Sequence, residues 1–297
     1  MNYTFHQLRV FSKVAQLQSV TRASEELAMT QPAVSIQLKN FQDQFDIPLT
    51  EVIGRQLYVT DFGREIEAIA VRILEEMETL RYKTEAYRGE LTGKLKISSA
   101  STGKYVMPFF LSGFLDKHQG VDLVLDVTNK TQVVASLKRN EIDFALVSVL
   151  PENMDVEEEL LIDNKLYLVG NQPEWSEDRP LIYREEGSAT RAAMEGYFAP
   201  LSKTPRRRME LTSNEAVKQA VVAGLGYSIM PLIGIRDELR NEQLFLVSAP
   251  GLPIITQWRL IWLKGKKFQP PAEAYLHYLK ENKEKILHNE FDWFVSQ

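Results

Sequence analysis

Hydrophobic residues near the start of the chain recur every three to four positions. Phe5, Leu8, Phe11 and Ala15 form one set, and Val20, Ala23, Ser24 and Leu27 follow at i, i+3, i+4 and i+7, which predicts two short amphipathic helices. Ala28 and Met29 make a turn. Thr30 can then cap a third helix through its hydroxyl oxygen, and Pro32 falls in the first turn, where a missing N–H costs nothing. At 100° per residue, Val34, Leu38, Phe41 and Phe45 share one stripe, the face that packs on the first two helices. Pro32, Ser35, Ile36, Lys39 and Asp43 occupy the other face. A short helix, a tight turn and a helix with a small, polar outer face is the helix-turn-helix plan, whose second helix enters a DNA major groove. Ile36 would then be available to a thymine methyl. Periodicity alone equally permits a three-helix bundle whose Ile36 meets another protein.

The segment from Asp46 to Thr60 is short, with Gly54 at a hairpin tip and Leu57, Tyr58 and Val59 alternating after it, which predicts a two-stranded wing. Arg55 beside the tip suits either a phosphate contact or an ordinary solvated charge. From Phe62 to Arg88 a long helix is predicted, in which Ile66, Ala70, Ile73, Met77, Leu80, Thr84 and Tyr87 alternate steps of four and three. Such a helix spans ~40 Å at 1.5 Å per residue. Its heptad seam suits pairing with a second copy, or packing against the chain's own downstream region.

After Gly89 and Gly93 the periodicity changes. Strands at Leu95–Ser99, Val121–Val127 and Phe144–Val149 alternate with helices at Pro108–Lys117 and Gln132–Lys138, the pattern of a parallel sheet. It recurs with strands at Leu166–Val169, Leu181–Tyr183, Met209–Leu211, Tyr227–Met230 and Gln257–Leu263, and helices at Arg191–Phe198 and Glu215–Ala223. Thr212 and Glu215 are spaced as a capping box for the last of these. Two α/β lobes imply a cleft between them.

Composition narrows the classes. The 297 residues include 35 basic and 40 acidic side chains, a formal charge of -5, and residues 1 to 60 balance to zero, so any DNA binding rests on geometry and not on bulk charge. There is no cysteine, which removes disulfides, thiolate catalysis and Cys-based zinc sites. His6, His118, His277 and His288 are isolated from one another, and Gly224-Leu225-Gly226 lacks the third glycine of a dinucleotide fingerprint. The expectation is a non-enzyme with no metal and no cofactor. Met1 to Gln7 lacks the basic start and apolar run of a signal peptide, and no run approaches the ~18 apolar residues of a membrane helix, so a cytoplasmic protein is expected.

Phe11 to Gly63 carries the most specific pattern. "FSKVAQLQSVTRASEELAMTQPAVSIQLKNFQDQF" followed by "IPLTEVIGRQLYVTDFGRE" is similar, nearly element for element, to the helix-turn-helix and wing of LysR-type transcriptional regulators. The resemblance extends along nearly the full length. Within the family, "SSASTGKYVMPFF" and "EEGSATRAAMEGYF" look most like the branch that includes the regulators of the Calvin-cycle operon. The resemblance implies an α/β protein in three parts: a winged helix-turn-helix over 1–60, a linker and dimerisation helix over 61–89, and a two-lobed effector-binding domain over 90–297 with the fold of periplasmic binding proteins. Lobe I is expected at about 94–165 and 264–297, lobe II at about 166–263, with crossings near Lys165–Val169 and Trp258–Trp262 and a C-terminal helix, Ala272–Leu287, returning to lobe I.

It further implies that Gln31, Pro32, Ala33, Ser35, Ile36 and Gln37, with Lys39 on the same outer face, approach double-stranded promoter DNA, and that Arg55 does so from the wing. A homodimer through the linker helix, often a tetramer, and contact with RNA polymerase are also implied. Thr50 and Val52 depart from the phenylalanine and arginine that the family more often shows there, which leaves one commonly cationic wing position apolar.

The candidate effector site lies at the carboxyl ends of the strands, where loops and helix N-termini offer N–H donors. Ser99, Ser101 and Thr102 follow the first strand of the domain, Thr128, Asn129 and Lys130 the second, and Ser148 ends the third. Across the cleft Ser188, Thr190 and Arg191 open a helix of lobe II. Hydroxyls with Lys130 and Arg191 suit a small anionic metabolite, a carboxylate or phosphate ester. The plainer reading is that Ser and Thr only cap helices and the cations are surface charges. A cytosolic solute-binding protein that never reads DNA is the competing function.

Overall fold

The computed structural model describes residues 2–54, 56–86, 91–200 and 206–295. The chain divides into two compact units, Met1–Gly89 and Glu90–Gln297.

The first unit opens with three helices, α1 (Phe5–Leu17), α2 (Val20–Glu26) and α3 (Gln31–Gln42). Side-chain caps set their starts: Thr4 in a capping box with Gln7, then Ser19, then Thr30, whose hydroxyl accepts from the Ala33 N–H at 3.4 Å. Val34, Leu38 and Phe41 are buried against Leu8, Phe11, Val14 and Ala23. Phe5 is 54% exposed and stands outside this core, contrary to its place in the periodic set; as the first helical residue it has no preceding turn to pack beneath. Strands β1 (Thr50–Ile53) and β2 (Gln56–Val59) pair antiparallel around Gly54, whose φ of +66° is open to glycine at little cost. Gln42 ties this wing to α3, its side-chain oxygen accepting from the Thr50 N–H and hydroxyl at 3.2 and 2.8 Å.

Helix α4 runs from Asp61 to Ala86. Its start presses on the wing: a Cβ on Gly63 would lie 2.0 Å from the Leu49 carbonyl oxygen, so only glycine fits. The expected heptad seam splits here. Ala70 is fully buried in the core of its own unit, with Ile66 packed against the same core. Ala70 therefore offers no surface to a second copy, a correction to its expected place in the seam. Ile73, Met77, Leu80 and Thr84 are exposed, as is Ile69. Tyr87 lies outside the described residues.

The second unit contains two lobes. In the first, β3 (Gly93–Ala100), β4 (Val121–Thr128) and β5 (Phe144–Val147) are parallel in the order β4-β3-β5, connected by α5 (Met107–Lys117) and α6 (Lys130–Lys138). Two long strands, β6 (Val156–Gly170) and β11 (Ile254–Leu263), pair antiparallel along their length and run through both lobes. β6 begins ten residues before the predicted Leu166, because the run Glu157, Glu158 and Glu159 hides its alternation. Arg259, Leu260 and Ile261 of β11 pair with β5, which puts part of the range expected for lobe II in lobe I.

The second lobe holds β7 (Leu181–Arg184), α7 (Ala189–Phe198), β8 (Arg208–Leu211), α8 (Asn214–Val222), β9 (Ser228–Pro231), α9 (Arg236–Arg240) and the short β10 (Phe245–Leu246). β7 and β8 form a separate parallel pair, whereas β9 and β10 pair antiparallel with β6, so the lobe mixes both kinds of pairing where a parallel sheet was expected. Crossing strands force that reversal, since a chain entering by β6 must leave by β11. The predicted Thr212 cap is also corrected: the adjacent Ser213, with extended backbone, accepts from the Ala216 N–H at 3.0 Å. Glu215 instead binds Lys218 and Gln219.

Helices cover both faces of each sheet. In lobe I, α5 and the final helix α10 (Pro270–Val295) bring Phe110, Phe114, Tyr275 and Leu279 onto Leu95, Ile97 and Trp258, while α6 packs Val133 and Leu137 on the other face. In lobe II, α7 buries Met194 and Phe198 on one face and α8 buries Val217 and Val221 on the other. Among the described residues no helix is long and apolar enough to cross a membrane.

Candidate functional site

Two surfaces stand out, one in each unit. On α3 the inward stripe leaves Gln31, Pro32, Ser35, Ile36 and Lys39 exposed, with Ala33 and Gln37 half-buried at its margins. Ile36 is 57% exposed, so packing within the unit does not account for an isoleucine there. Gln31 is partly engaged: its amide donates to the Thr21 hydroxyl at 3.0 Å and fixes α3 against α2. Proline in the first turn and the Thr30 cap fix where α3 begins, and the positive end of its dipole there suits a phosphate. On the wing Val52 and Ile53 are 67% and 62% exposed, an apolar tip. Arg55 lies outside the described residues.

The second surface is the cleft of the two-lobed unit. Parallel register places Ala100 opposite Thr128 and Ser99 opposite Leu146, so the three strand ends of lobe I emerge side by side. Ser101 and Thr102 lie in a 3₁₀ turn, Ser101–Tyr105, directly after β3. Asn129 caps α6 by accepting from the Gln132 N–H at 3.0 Å, and Lys130 is half-buried at the first position of that helix. Ser148 is almost buried after β5. From lobe II, Ser188 caps α7 by accepting from the Arg191 N–H, and Thr190 is buried at the second position of that helix.

Two expected members are turned elsewhere. Ser99 is fully buried, its hydroxyl donates to the Ala100 carbonyl at 3.0 Å, and a Cβ on Gly103 would lie 2.3 Å from its oxygen. The tight 3₁₀ turn covers it. Arg191 donates to Glu195 and Glu210 at 2.9 and 2.7 Å and to the Arg184 carbonyl at 3.0 Å. Hydrogen bonds to both carboxylates raise its pKa, and its Nε and Nη1 are committed to them and to the Arg184 carbonyl.

The cation that does reach between the lobes is Arg184, the last residue of β7, which sequence reading passed over. Its side chain is 4% exposed. Nε and Nη2 donate to the Glu185 carboxylate, each at 2.7 Å, and Nη2 also donates to Ser101 Oγ of lobe I at 3.0 Å. Nη1 is buried and, among the described residues, has no hydrogen-bond partner. The lobes touch again at Gly187, whose φ of +83° turns the chain so closely that a Cβ would meet Thr131 Oγ1 at 2.7 Å. A signal existed in the sequence: an arginine that ends an apolar strand, at the sheet end where ligands gather, just before a predicted helix. Among the described residues no group of three His, Cys, Asp or Glu side chains could hold a metal ion.

Comparison with known proteins gives a matching pattern. Residues 5–64 match the family described as bacterial regulatory helix-turn-helix protein, lysR family, and residues 88–284 match the LysR substrate binding domain. The RuBisCO operon transcriptional regulator of Allochromatium vinosum is 37% identical over 290 residues, 94% of this chain and 96% of that protein. The Synechocystis PCC6803 CcmR regulatory domain, solved in complex with 2-PG, is 30% identical with a TM-score of 0.60, covering 65% of this chain and 98% of that one. Full-length CbnR, solved in complex with its target DNA, is 21% identical with a TM-score of 0.62 over 94% of this chain and 99% of that one, a likeness of fold.

Proposed function

This chain belongs to the LysR family of DNA-binding transcriptional regulators, with an effector-binding domain after its helix-turn-helix, and on that premise we propose that it switches a promoter in response to a small organic anion bound between its lobes. The helix-turn-helix match sets aside a solute-binding protein that never reads DNA, and membership of a regulator family sets aside an enzyme.

Base contacts come from the outward face of α3: Pro32, Ala33, Ser35 and Ile36, with Gln31, Gln37 and Lys39 at its margins and Arg55 on the wing. The effector is a carboxylate or phosphate ester held by Ser101, Thr102, Thr128, Asn129, Lys130, Ser148 and Thr190. The 2-PG bound to the CcmR domain supports that class. Two copies pair through the exposed Ile73, Met77, Leu80 and Thr84 of α4. A tetramer of two such pairs responds to effector by changing the angle between them, and so the bend of the DNA and its contact with RNA polymerase. The protein works in the cytoplasm, where promoter and metabolite meet. Relatives named for the RuBisCO operon make such an operon the first target to test.

The observation that carries this reading is the exposed face of α3, where an isoleucine and a serine stand outward beside a capped helix N-terminus. The test is affinity capture and sequencing of genomic DNA from the protein's own source with full-length protein, with and without 2-PG and a panel of small carboxylates and phosphate esters. Enrichment of a few interrupted inverted repeats, altered by one of the anions, is expected. Uniform recovery removes base readout. Specific recovery that no anion alters removes the effector class.

A further inference from the structure

Arg184 is a cation in an unusual position. Each guanidinium has five N–H donors arranged as two forks: a side-on pair from Nε and Nη2, and an end-on pair from Nη1 and Nη2. The side-on fork is filled by both oxygens of Glu185. On the end-on side Nη2 reaches Ser101 Oγ at 3.0 Å, whereas Nη1 is buried and has no partner among the described residues. A hydroxyl is a single-oxygen acceptor and satisfies one tooth of a two-toothed fork. Leaving a charged donor buried and unmatched is costly, so the side chain has to be held in place from elsewhere. Glu185 does so through two bonds, and Arg191 fixes the Arg184 carbonyl.

We propose that the end-on fork of Arg184 is the receiving group for the effector's anionic end, with Ser101 holding one of its two places and Glu185 as the positioning residue that aims it. This rests on the reading of the cleft as an anion-effector site. A carboxylate or phosphate presents two oxygens at the separation of Nη1 and Nη2, and fork-to-fork pairing of this kind is the strongest charge-assisted hydrogen bonding available to a side chain. Because the fork belongs to lobe II and Ser101 to lobe I, an oxyanion seated there bridges the lobes more firmly than the single bond it replaces. Ligand affinity and lobe closure are thereby one quantity. The assignment also explains how a site can select anions although Arg191 is engaged by Glu195 and Glu210.

Titration calorimetry and thermal melting of the full-length protein with 2-PG, inorganic phosphate and acetate test this, using Arg184→Lys and Ser101→Asp. Lysine keeps the charge and loses the fork, so 2-PG affinity is expected to fall about tenfold or more. Ser101→Asp supplies an internal carboxylate to both teeth. Its melting temperature is expected to rise above that of the unmodified protein, and 2-PG is expected to shift it no further. A gain in melting temperature cannot come from misfolding. Undiminished 2-PG binding by Arg184→Lys, or a Ser101→Asp protein that melts lower and still binds, overturns the fork while leaving the anion site standing. If the unmodified protein binds none of the three probes, the anion-effector reading falls and the fork with it.

Discussion

Ile36 and Phe41 sit five residues apart on one helix and do opposite work. Phe41 is fully buried, with the Phe11 ring centroid 5.1 Å away, whereas Ile36 is 57% exposed. Phe41→Ala is therefore expected to lower stability by about 3–5 kcal/mol, the cost of emptying a packed aromatic site, measurable by urea denaturation. Ile36→Ala is expected to leave the melting temperature unchanged and to weaken specific DNA binding about tenfold, in the range of one lost base contact. Equal losses of stability in both variants would contradict the assignment of Ile36 to the groove. At this scale periodicity is informative, because helical phase alone says which side chain faces in. Hydroxyls and arginines are less legible. Thr212 and Ser213 are both able caps, and only the backbone decides that Ser213 serves. Arg184 and Arg191 are both basic residues near one loop, and only the positions of Glu195 and Glu210 decide that Arg191 is occupied.

At the scale of elements the long helix is the instructive case. Its seven-residue pattern was readable, but a periodic stripe can serve an internal partner or an external one. The structure divides it, giving Ile66 and Ala70 to the unit's own core and leaving Ile73, Met77 and Leu80 exposed. A Met77→Glu, Leu80→Glu double variant is thus expected to fold normally and to sediment as a monomer, the unmodified protein being expected to sediment as a dimer or tetramer. Retention of the larger species would move the interface elsewhere. The wing supports a second expectation. With Val52 at an exposed position, Val52→Arg adds a cation that can reach a phosphate, so the slope of log K against log salt is expected to steepen by about one.

Across the whole effector-binding unit, the burial of Asp143 matters to stability. Its carboxylate accepts from the Lys96 N–H at 2.8 Å and joins β3 to the start of β5. Desolvation raises its pKa, outweighing the opposing hydrogen bond from Lys96 and the charges of Lys266 and Lys96. The unfolded chain releases this proton first, near the ordinary value of ~3.9, so stability falls as pH rises from there through the raised folded pKa. Asp143→Asn keeps the acceptor and removes the charge. It is expected to melt higher than the unmodified protein at neutral pH, the difference vanishing below the ordinary aspartate range. A difference that persists there would assign the effect to packing. By itself the sequence determined the succession of the main helices and strands, because these rest on local periodicity and capping, and its contiguous motif decided the helix-turn-helix and the family where periodicity alone left two readings open; the short α9 and β10 and the start of β6 were not legible. Only the tertiary structure decided which strands run through both lobes, that Ala70 is internal, and that Arg184, not Arg191, faces Ser101. Each of those depends on contacts between residues far apart in the chain, as Arg184 and Ser101 are, at a separation of 83 residues, and no local pattern encodes which of two similar side chains will meet a distant partner.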